Sequence, residues 1–325
     1  MTKVIQFHET GPARVLRYED IDVGKPKRGE VRVRNAAIGL NFIDVYVRTG
    51  LYPTPDLPSG IGFEGAGTIT AIGAGVSGLK PGDRIAYGVG PLGAYAEERI
   101  LPADRVVKLP KEISEQTAAA MMLKGMTAHY LIRRIYKVKP GDIVLFHAAA
   151  GGVGLIACQW LKALGAKVIG TVGSDEKEKL AKRMGCTWPV NYRKENFVER
   201  VKEITRGKGV PAVYDSIGKA TFTKSLDCLS PLGTMVSYGN ASGPPDPISP
   251  MTLAQKGSLI LTRPSLFHYV AARDDMLKAS RELFKVVSSG AVNARIDQTY
   301  PLKDAAKAHR DLEGRKTTGS TILVP

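Results

Sequence analysis

The chain of 325 residues contains only three cysteines, Cys158, Cys186 and Cys228, and no two are close enough to form a C-x-x-C pair. Thiols so spaced argue against a disulfide framework and a four-cysteine zinc site, and for a reducing cytoplasm. No apolar run approaches the roughly 18 residues of a membrane-spanning helix. The longest candidates, such as 143–150, are of strand length. The start, MTKVIQFHETG, lacks an apolar signal-peptide core behind a basic stretch, which speaks against secretion. His8, His129, His147, His268 and His309 show no H-x-x-x-H spacing and no cysteine partner, so each reads as structural or surface and no metal site is expected. The hydrolase elbow G-x-S-x-G is missing. Gly207-Lys208-Gly209 has no Walker spacing before it and reads as a surface turn.

What is present is ordinary for a folded chain: 43% hydrophobic and 24% charged residues, in a length that suits two domains. Disorder and a fibrous architecture are disfavoured. The 46 Lys+Arg against 31 Asp+Glu leave a formal charge of +15. Because both signs are interspersed, with no basic tail and no nucleic-acid module, the positive charge has no focus.

Residues 1–123 are rich in glycine, proline and short alternating segments. Residues 30–36 alternate at period two, as a half-exposed strand does. Residues 62–76 carry closely spaced glycines among β-branched residues, which suggests bent strands. Lys80-Pro81-Gly82-Asp83 is a turn leading into a strand at 84–87, and the same four residue types recur at 139–142. This part reads as mostly β, a partly closed barrel. From Ser114, a plausible N-cap, the texture changes. Strands are expected at 143–147, 167–172, 210–215 and 234–238, and helices at 153–164, 175–184 and 219–229. That alternation specifies an α/β fold, a parallel sheet covered by helices on both faces. Helices at 276–288 and 302–312, with a stop at Gly290 between them, and a strand at 320–324 suggest a return to the first domain.

The most informative stretch is the strand at 143–147 running into Ala148-Ala149-Ala150-Gly151-Gly152-Val153-Gly154 and then a helix. A strand ending in a glycine-rich turn that opens a helix gathers unpaired backbone N–H groups and the positive end of the helix dipole at one point, which suits a pyrophosphate. The dinucleotide fingerprint appears as Ala149-x-Gly151-x-x-Gly154, with alanine in the first place. The alternative is a plain strand-to-helix turn. An NAD site offers a carboxylate about 20 residues beyond the glycines. That count ends at Ser174, beside Gly173 and one helical turn from Lys177, which favours a 2′-phosphate and hence NADPH. Asp175 and Glu176 are near enough to face the ribose instead.

At this point the sequence resembles the zinc-independent quinone oxidoreductase, or zeta-crystallin-like, branch of the medium-chain dehydrogenase/reductase superfamily, with the bacterial NADPH:quinone oxidoreductases nearest in pattern. The resemblance spans nearly the whole chain. It is carried by AIGLNFID at 37–44, RTGLYP at 48–53, LKGMTA at 123–128, HAAAGGVG at 147–154, YDSIG at 214–218 and YGNASG at 238–243. It implies a GroES-like catalytic domain from residues 1–123 and 267–325, a Rossmann NADPH domain from 124–266, and a cleft where they meet. It also implies a homodimer. Where zinc-dependent members carry Gly-His-Glu, this chain has Gly62-Phe63-Glu64, and Phe63 cannot ligate a metal. An acceptor whose conjugated system takes hydride without a Lewis acid, such as a quinone, is therefore expected.

By resemblance, Asn41, Tyr46, Tyr52 and Thr127 line the nicotinamide end, with Tyr46 and Tyr52 the catalytic candidates; as residue types, the tyrosines offer flat faces and phenolic donors to a planar ring. The 2′-phosphate contacts map to Gly173, Ser174, Lys177, Tyr192 and Arg315, a clamp of cations and hydroxyls around a dianion. Gly151, Gly152, Val153 and Gly154 take the pyrophosphate. Ser216, Tyr238, Gly239 and Asn240 follow strand ends, where ligands bind in open parallel sheets. Phe267 resembles the loop over the nicotinamide, and core packing is its alternative. The expected activity is NADPH-dependent quinone reduction. An α,β-unsaturated aldehyde or ketone is the alternative acceptor. An RNA-binding protein using the basic surface, as in some animal relatives, is the rival of another class.

Overall fold

The structure, a computed structural model, describes residues 1–53 and 56–325. The chain divides into two compact units, one of residues 1–126, 272–288 and 294–325, the other of 127–271 and 289–293. The short return of 289–293 is fixed by Gln159, whose side chain bonds the Asn293 N–H and C=O at 2.9 and 3.1 Å.

The first unit is built around the strand Glu30–Leu40. Its early residues pair with Glu98–Pro102, its late residues with Ser320–Val324, and its other edge with Glu64–Ile72 along most of its length, all antiparallel. Arg84–Tyr87 and Val107–Lys108 extend the sheet on one side and Ile296–Pro301 on the other. Burial alternates through residues 30–36, as the period-two pattern requires, and then becomes continuous to Leu40. A smaller antiparallel sheet joins Leu16–Ile21, Thr2–Phe7 and Ser59–Gly60. The short helix Phe42–Arg48 follows the central strand directly.

The repeated Lys-Pro-Gly-Asp sequence makes the same turn twice. In each the aspartate accepts from the lysine N–H, at 2.9 Å from Asp83 and 2.8 Å from Asp142. Gly82 and Gly141 sit at φ +88° and +89°, a conformation that suits residues without a Cβ.

Among its described residues the second unit forms a parallel sheet in the order Trp188–Asn191, Lys167–Val172, Ile143–Phe146, Val210–Asp215, Leu229–Ser237, Ile260–Thr262. This is the Rossmann order, reversing direction between Ile143–Phe146 and Val210–Asp215, where the carboxyl ends of the strands leave a crevice. The helix Gly152–Ala163 buries Leu155, Ile156, Cys158, Trp160 and Leu161. Asp175–Arg183 is capped by Ser174 and carries acids in its first turn and bases in its last, in line with its dipole. Ser114 caps Glu115–Tyr130 as expected, its hydroxyl accepting from the Thr117 N–H at 3.1 Å. Leu145, Ile169, Val213 and Met235, one from each inner strand, meet in the core with Phe197, Val201 and Leu226.

One stretch departs from expectation. The helix expected at 219–229 forms only at Phe222–Leu226, and the strand expected at 234–238 runs from Leu229 to Ser237. Leu229 is drawn into the sheet opposite Val210, and the irregularity between Val210 and Ala212 absorbs the extra residues.

Candidate active site

The glycine turn begins under constraint. His147 N–H donates to the Tyr214 carbonyl and Ala149 N–H to the Thr171 carbonyl, both at 3.0 Å, so the turn is anchored to strands on either side. Ala148 lies at φ +53°, left-handed for a residue with a Cβ. Gly154 must be glycine: a Cβ there would stand 2.3 Å from the Ala148 oxygen. Gly151 caps the helix without a side-chain acceptor, so the N–H groups of Gly152, Val153 and Gly154 have no intrahelical partner, an arrangement that suits an anion.

His147 is fully buried. Its Nε2 lies 2.9 Å from Ser225 Oγ and its Nδ1 2.9 Å from Thr171 Oγ1. Because Ser225 donates to Asp215 Oδ2 at 2.8 Å, it accepts from His147 Nε2–H, and Thr171 donates to Nδ1. Burial holds the imidazole below its ordinary pKa against the pull of Asp215. Asp215 also accepts from the N–H groups of Ile217 and Gly218 and from Thr221, which fixes the loop of Ser216. That loop is laced to the next one. A Cβ on Gly239 would lie 2.6 Å from the Ser216 oxygen, and Ala241 N–H donates to the same oxygen at 3.1 Å. Tyr238 stands 6.1 Å from Phe146, ring to ring.

At the end of Lys167–Val172, the Tyr192 hydroxyl covers Gly173, where a Cβ would meet it at 2.5 Å. Ser174 Oγ accepts from the Lys177 N–H at 3.3 Å. Gly173, Ser174, Lys177 and Tyr192 are thus brought together. Asp175, left open as a ribose ligand, is committed elsewhere: Asn191 Nδ2 and Lys194 Nζ hold its carboxylate at 2.9 and 2.7 Å, and the Lys194 bond lowers its pKa. Thr127 begins this unit, buried in Glu115–Tyr130. Phe267 lies in the short helix Leu266–Tyr269, whose Tyr269 stacks on Tyr130 at 4.7 Å. Arg315 belongs to the first unit, at φ +58° just beyond the helix Ala305–Glu313.

In the first unit Asn41 directly follows the central strand and caps Phe42–Arg48 in a capping box with Asp44. Its Nδ2 donates to Glu64 Oε2 at 2.8 Å. Glu64, fully buried, also accepts from Lys124 Nζ at 2.7 Å and from the Leu123 N–H at 2.8 Å. Gly39 leaves the room for this, since a Cβ there would lie 2.1 Å from Glu64 Oε2. The Tyr46 ring packs against Tyr52 at 5.0 Å and Phe42 at 6.0 Å. Asn41, Tyr46 and Tyr52 therefore share one short segment, with Asn41 directed to Glu64. Phe63 is buried, and among the described residues no three His, Cys, Asp or Glu side chains form a group able to hold a metal.

Sequence reasoning passed over a line of polar groups behind that segment. Tyr95 donates to Asp44 Oδ2 at 2.9 Å and stands 3.1 Å from His309 Nε2, while His309 Nδ1 lies 3.1 Å from Arg48 Nη1. The guanidinium only donates, so Nδ1 accepts and Nε2 carries the proton toward Tyr95. Burial raises the Asp44 pKa to about 7, against the hydrogen bonds from Asn41 and Tyr95 and the charge of Lys124, and with Glu64 adding to it. Burial, with Arg48 alongside, lowers His309 to about 3. The individual residues lie in stretches a reader would inspect, but nothing in the spacing joins them.

A switch-point glycine turn on a Rossmann sheet, in one chain with a GroES-like β unit, defines a nicotinamide-dinucleotide oxidoreductase of the medium-chain dehydrogenase/reductase class. Residues 27–111 match the alcohol dehydrogenase GroES-like domain family, and residues 152–285 the family described as zinc-binding dehydrogenase. Over the full length of both chains the sequence is 51% identical to a quinone oxidoreductase of Pseudomonas aeruginosa. It is 46% identical to a 2-haloacrylate reductase of a Burkholderia species, covering 100% of this chain and 99% of that one. The structure of Escherichia coli quinone oxidoreductase complexed with NADPH superposes with a TM-score of 0.98 at 50% identity, covering 99% of this chain and 100% of that one. The chain belongs to the quinone oxidoreductase branch of this superfamily.

The Asp44 and His309 shifts have opposite signs. Between about pH 4 and 6.5 the folded state holds one proton more than the unfolded at Asp44 and one fewer at His309, so their slopes cancel. Asp44→Asn leaves the His309 contribution alone, and stability relative to the parent should then fall as pH drops from 6.5 toward 4, by about 1.4 kcal/mol per unit. His309→Gln should do the reverse, losing stability as pH rises from 4 to 7. Urea midpoints at pH 4.5 and 6.5 test both, and parallel profiles in parent and variants would refute the pairing.

Proposed function

We propose that this chain is an NADPH-dependent quinone reductase. The observation that carries the cofactor preference is the second-strand end, where Gly173, Ser174, Lys177 and Tyr192 cluster and, of the two nearby acids, Asp175 is withdrawn onto Asn191 and Lys194 while Glu176 bonds the Ser174 hydroxyl. A dianionic 2′-phosphate meets hydroxyls and cations there. The N–H groups of residues 151–154 take the pyrophosphate, Ser174, Lys177, Tyr192 and Arg315 take the 2′-phosphate, and Thr127, Ser216, Tyr238, Gly239, Asn240 and Phe267 border the nicotinamide. Bound NADPH supplies a hydride. Tyr46 and Tyr52 orient a flat conjugated acceptor and offer donors to the oxygen that gains charge. Asn41, turned to Glu64, keeps that segment in place. With phenylalanine at 63 the chain offers no metal ligand at that position, which favours an acceptor reducible without a Lewis acid.

The 46% identity to a 2-haloacrylate reductase favours a second acceptor class, activated alkenes, at the same site. We further infer a homodimer. The strand Ile260–Thr262 ends the sheet, paired on one side only, and Ile260 (56%) and Leu232 (72%) are exposed beside it. The three buried free cysteines suit a reducing cytoplasm. Among the described residues no helix is long and apolar enough to cross a membrane.

Stopped-flow decay of NADPH absorbance with a panel of quinones should show turnover; activity toward simple alcohols alone would overturn the acceptor class. Lys177→Ala with Arg315→Ala should raise the NADPH Kd roughly 10²-fold and the NADH Kd less than about threefold. Equal weakening would show that neither side chain reads the 2′-phosphate. Ile260→Arg should shift the mass in analytical ultracentrifugation from dimer to monomer, and an unchanged mass would place the interface elsewhere.

A further inference from the structure

The helix Phe42–Arg48 has only seven residues, too few to hold its own conformation, so its direction comes from what grips it. Two pairs at i,i+4 spacing lie on it, and residues two apart do not share a face. Phe42 and Tyr46 form one pair, ring against ring at 6.0 Å. Asp44 and Arg48 form the other, and both are fully buried. A single imidazole spans that second pair: His309 Nδ1 lies 3.1 Å from Arg48 Nη1, and its Nε2 reaches Asp44 through the Tyr95 hydroxyl. Arg48 is locked further by Glu313 at 2.7 and 3.0 Å and by the Gly11 carbonyl at 3.0 Å. Asp44 Oδ2 also accepts from the Asn41 N–H at 2.9 Å, which closes the helix cap. Tyr95 can take its place because Gly62 has no side chain; a Cβ there would lie 2.3 Å from the ring.

Given the reading of Tyr46 and Tyr52 above, we propose that Tyr95 and Asp44 are positioning residues for the acceptor: the line His309–Tyr95–Asp44 grips one face of this helix and so sets the opposite face, which carries Tyr46. Every bond in the line has a fixed direction. Arg48 donates to His309, His309 to Tyr95, and Tyr95 to Asp44 Oδ2. A proton arriving at Asp44 must therefore settle on Oδ1, which has no hydrogen-bond partner among the described residues. It turns a charge-assisted cap into a weaker neutral one. The charged and titratable groups around Asp44 are Lys124 and Glu64, Tyr95, His309, Arg48 on its own helix and Glu313 beyond it. Its carboxyl, pushed up to about 7 by burial, changes state in the neutral range. The acceptor KM should accordingly rise as pH falls through about 7, while the NADPH Kd does not follow it.

Steady-state quinone kinetics from pH 6 to 8.5, with NADPH titrations alongside, test this. Tyr95→Phe should raise the quinone KM at pH 8 by about tenfold, the loss of one hydrogen bond to a charged group, and move the KM midpoint upward. Its NADPH Kd should stay within twofold. Asp44→Asn should show the acid-side KM at every pH. Tyr95→Phe is the smaller change and carries the test if Asp44→Asn does not fold. A lowered Tm with an unchanged quinone KM and pH profile in Tyr95→Phe would mean the line is structural only and would overturn the proposal. Tyr46→Ala separates the two layers. If it too leaves the quinone KM unchanged, the assignment of Tyr46 to the acceptor fails and the positioning role fails with it; if it raises the KM while Tyr95→Phe does not, the positioning role alone falls.

Discussion

A carboxylate removed from water must be given partners, and in the first unit that requirement organises everything around Glu64. Its two oxygens accept from Asn41 Nδ2, Lys124 Nζ and the Leu123 N–H. These three groups come from the end of the central strand and from the helix Glu115–Tyr130, so one side chain ties together a strand end, a helix cap and a long helix. Gly39 is the matching constraint, since any side chain there would displace the carboxylate or the Ala119 carbonyl at 2.2 Å. A buried ion pair adds little net stability compared with a well-packed apolar cluster, but it tolerates only one arrangement. On the proposed role of Tyr46, a single arrangement of this segment is the useful property.

The second unit solves its own positioning problem in the same way. Asp215 sits fully buried at the end of its strand and holds the N–H groups of the following loop together with Thr221 and Ser225. Ser225 in turn fixes His147 at the end of the neighbouring strand, immediately before the left-handed Ala148 and the glycine turn. The loops that flank the switch point are therefore braced from below by side chains that need not touch a ligand. Close backbone approach at Gly154, Gly173 and Gly239 does the rest. Preorganised N–H groups cost nothing to orient when an anion arrives, which is why such a turn binds through main chain rather than through long cations.

Local signals in the sequence were legible where one short stretch carried the whole instruction. The strands Lys167–Val172, Val210–Asp215 and Ser320–Val324 lie at the expected bounds, because apolar runs of strand length end at strong turn residues. The two Lys-Pro-Gly-Asp turns and the Ser114 cap are equally local. Where neighbours compete, the reading drifts. Leu229 looks like the end of a helix and is taken by the sheet instead, since pairing with Val210 satisfies its backbone in the core. The strand Trp188–Asn191 and the helix Phe197–Thr205 had no expectation, one being very short and the other weakly punctuated. The glycine turn and the residues after the second strand announced themselves by spacing. The line from Arg48 to Asp44 did not, because its members are brought together from residues 44–48, 95 and 309, and a polar network has no period.

The triplet Gly62-Phe63-Glu64 shows how the chemistry of this branch follows from those commitments. Position 63 carries a hydrocarbon ring, and the glutamate beside it has its oxygens engaged by an ammonium, an amide and a main-chain N–H. A carboxylate so occupied keeps little capacity for a further partner. What remains near Tyr46 and Tyr52 is aromatic surface and phenolic donors, held by a helix whose cap depends on Asp44. Such surroundings can orient a flat molecule and stabilise an oxygen that is already gaining charge, and they do little to polarise an unactivated carbonyl. The substrate must then bring its own electron deficiency, as a quinone does. If Tyr46 and Tyr52 meet the acceptor as proposed, discrimination within that class falls to the shape they set, and so to whatever fixes the short helix that carries Tyr46.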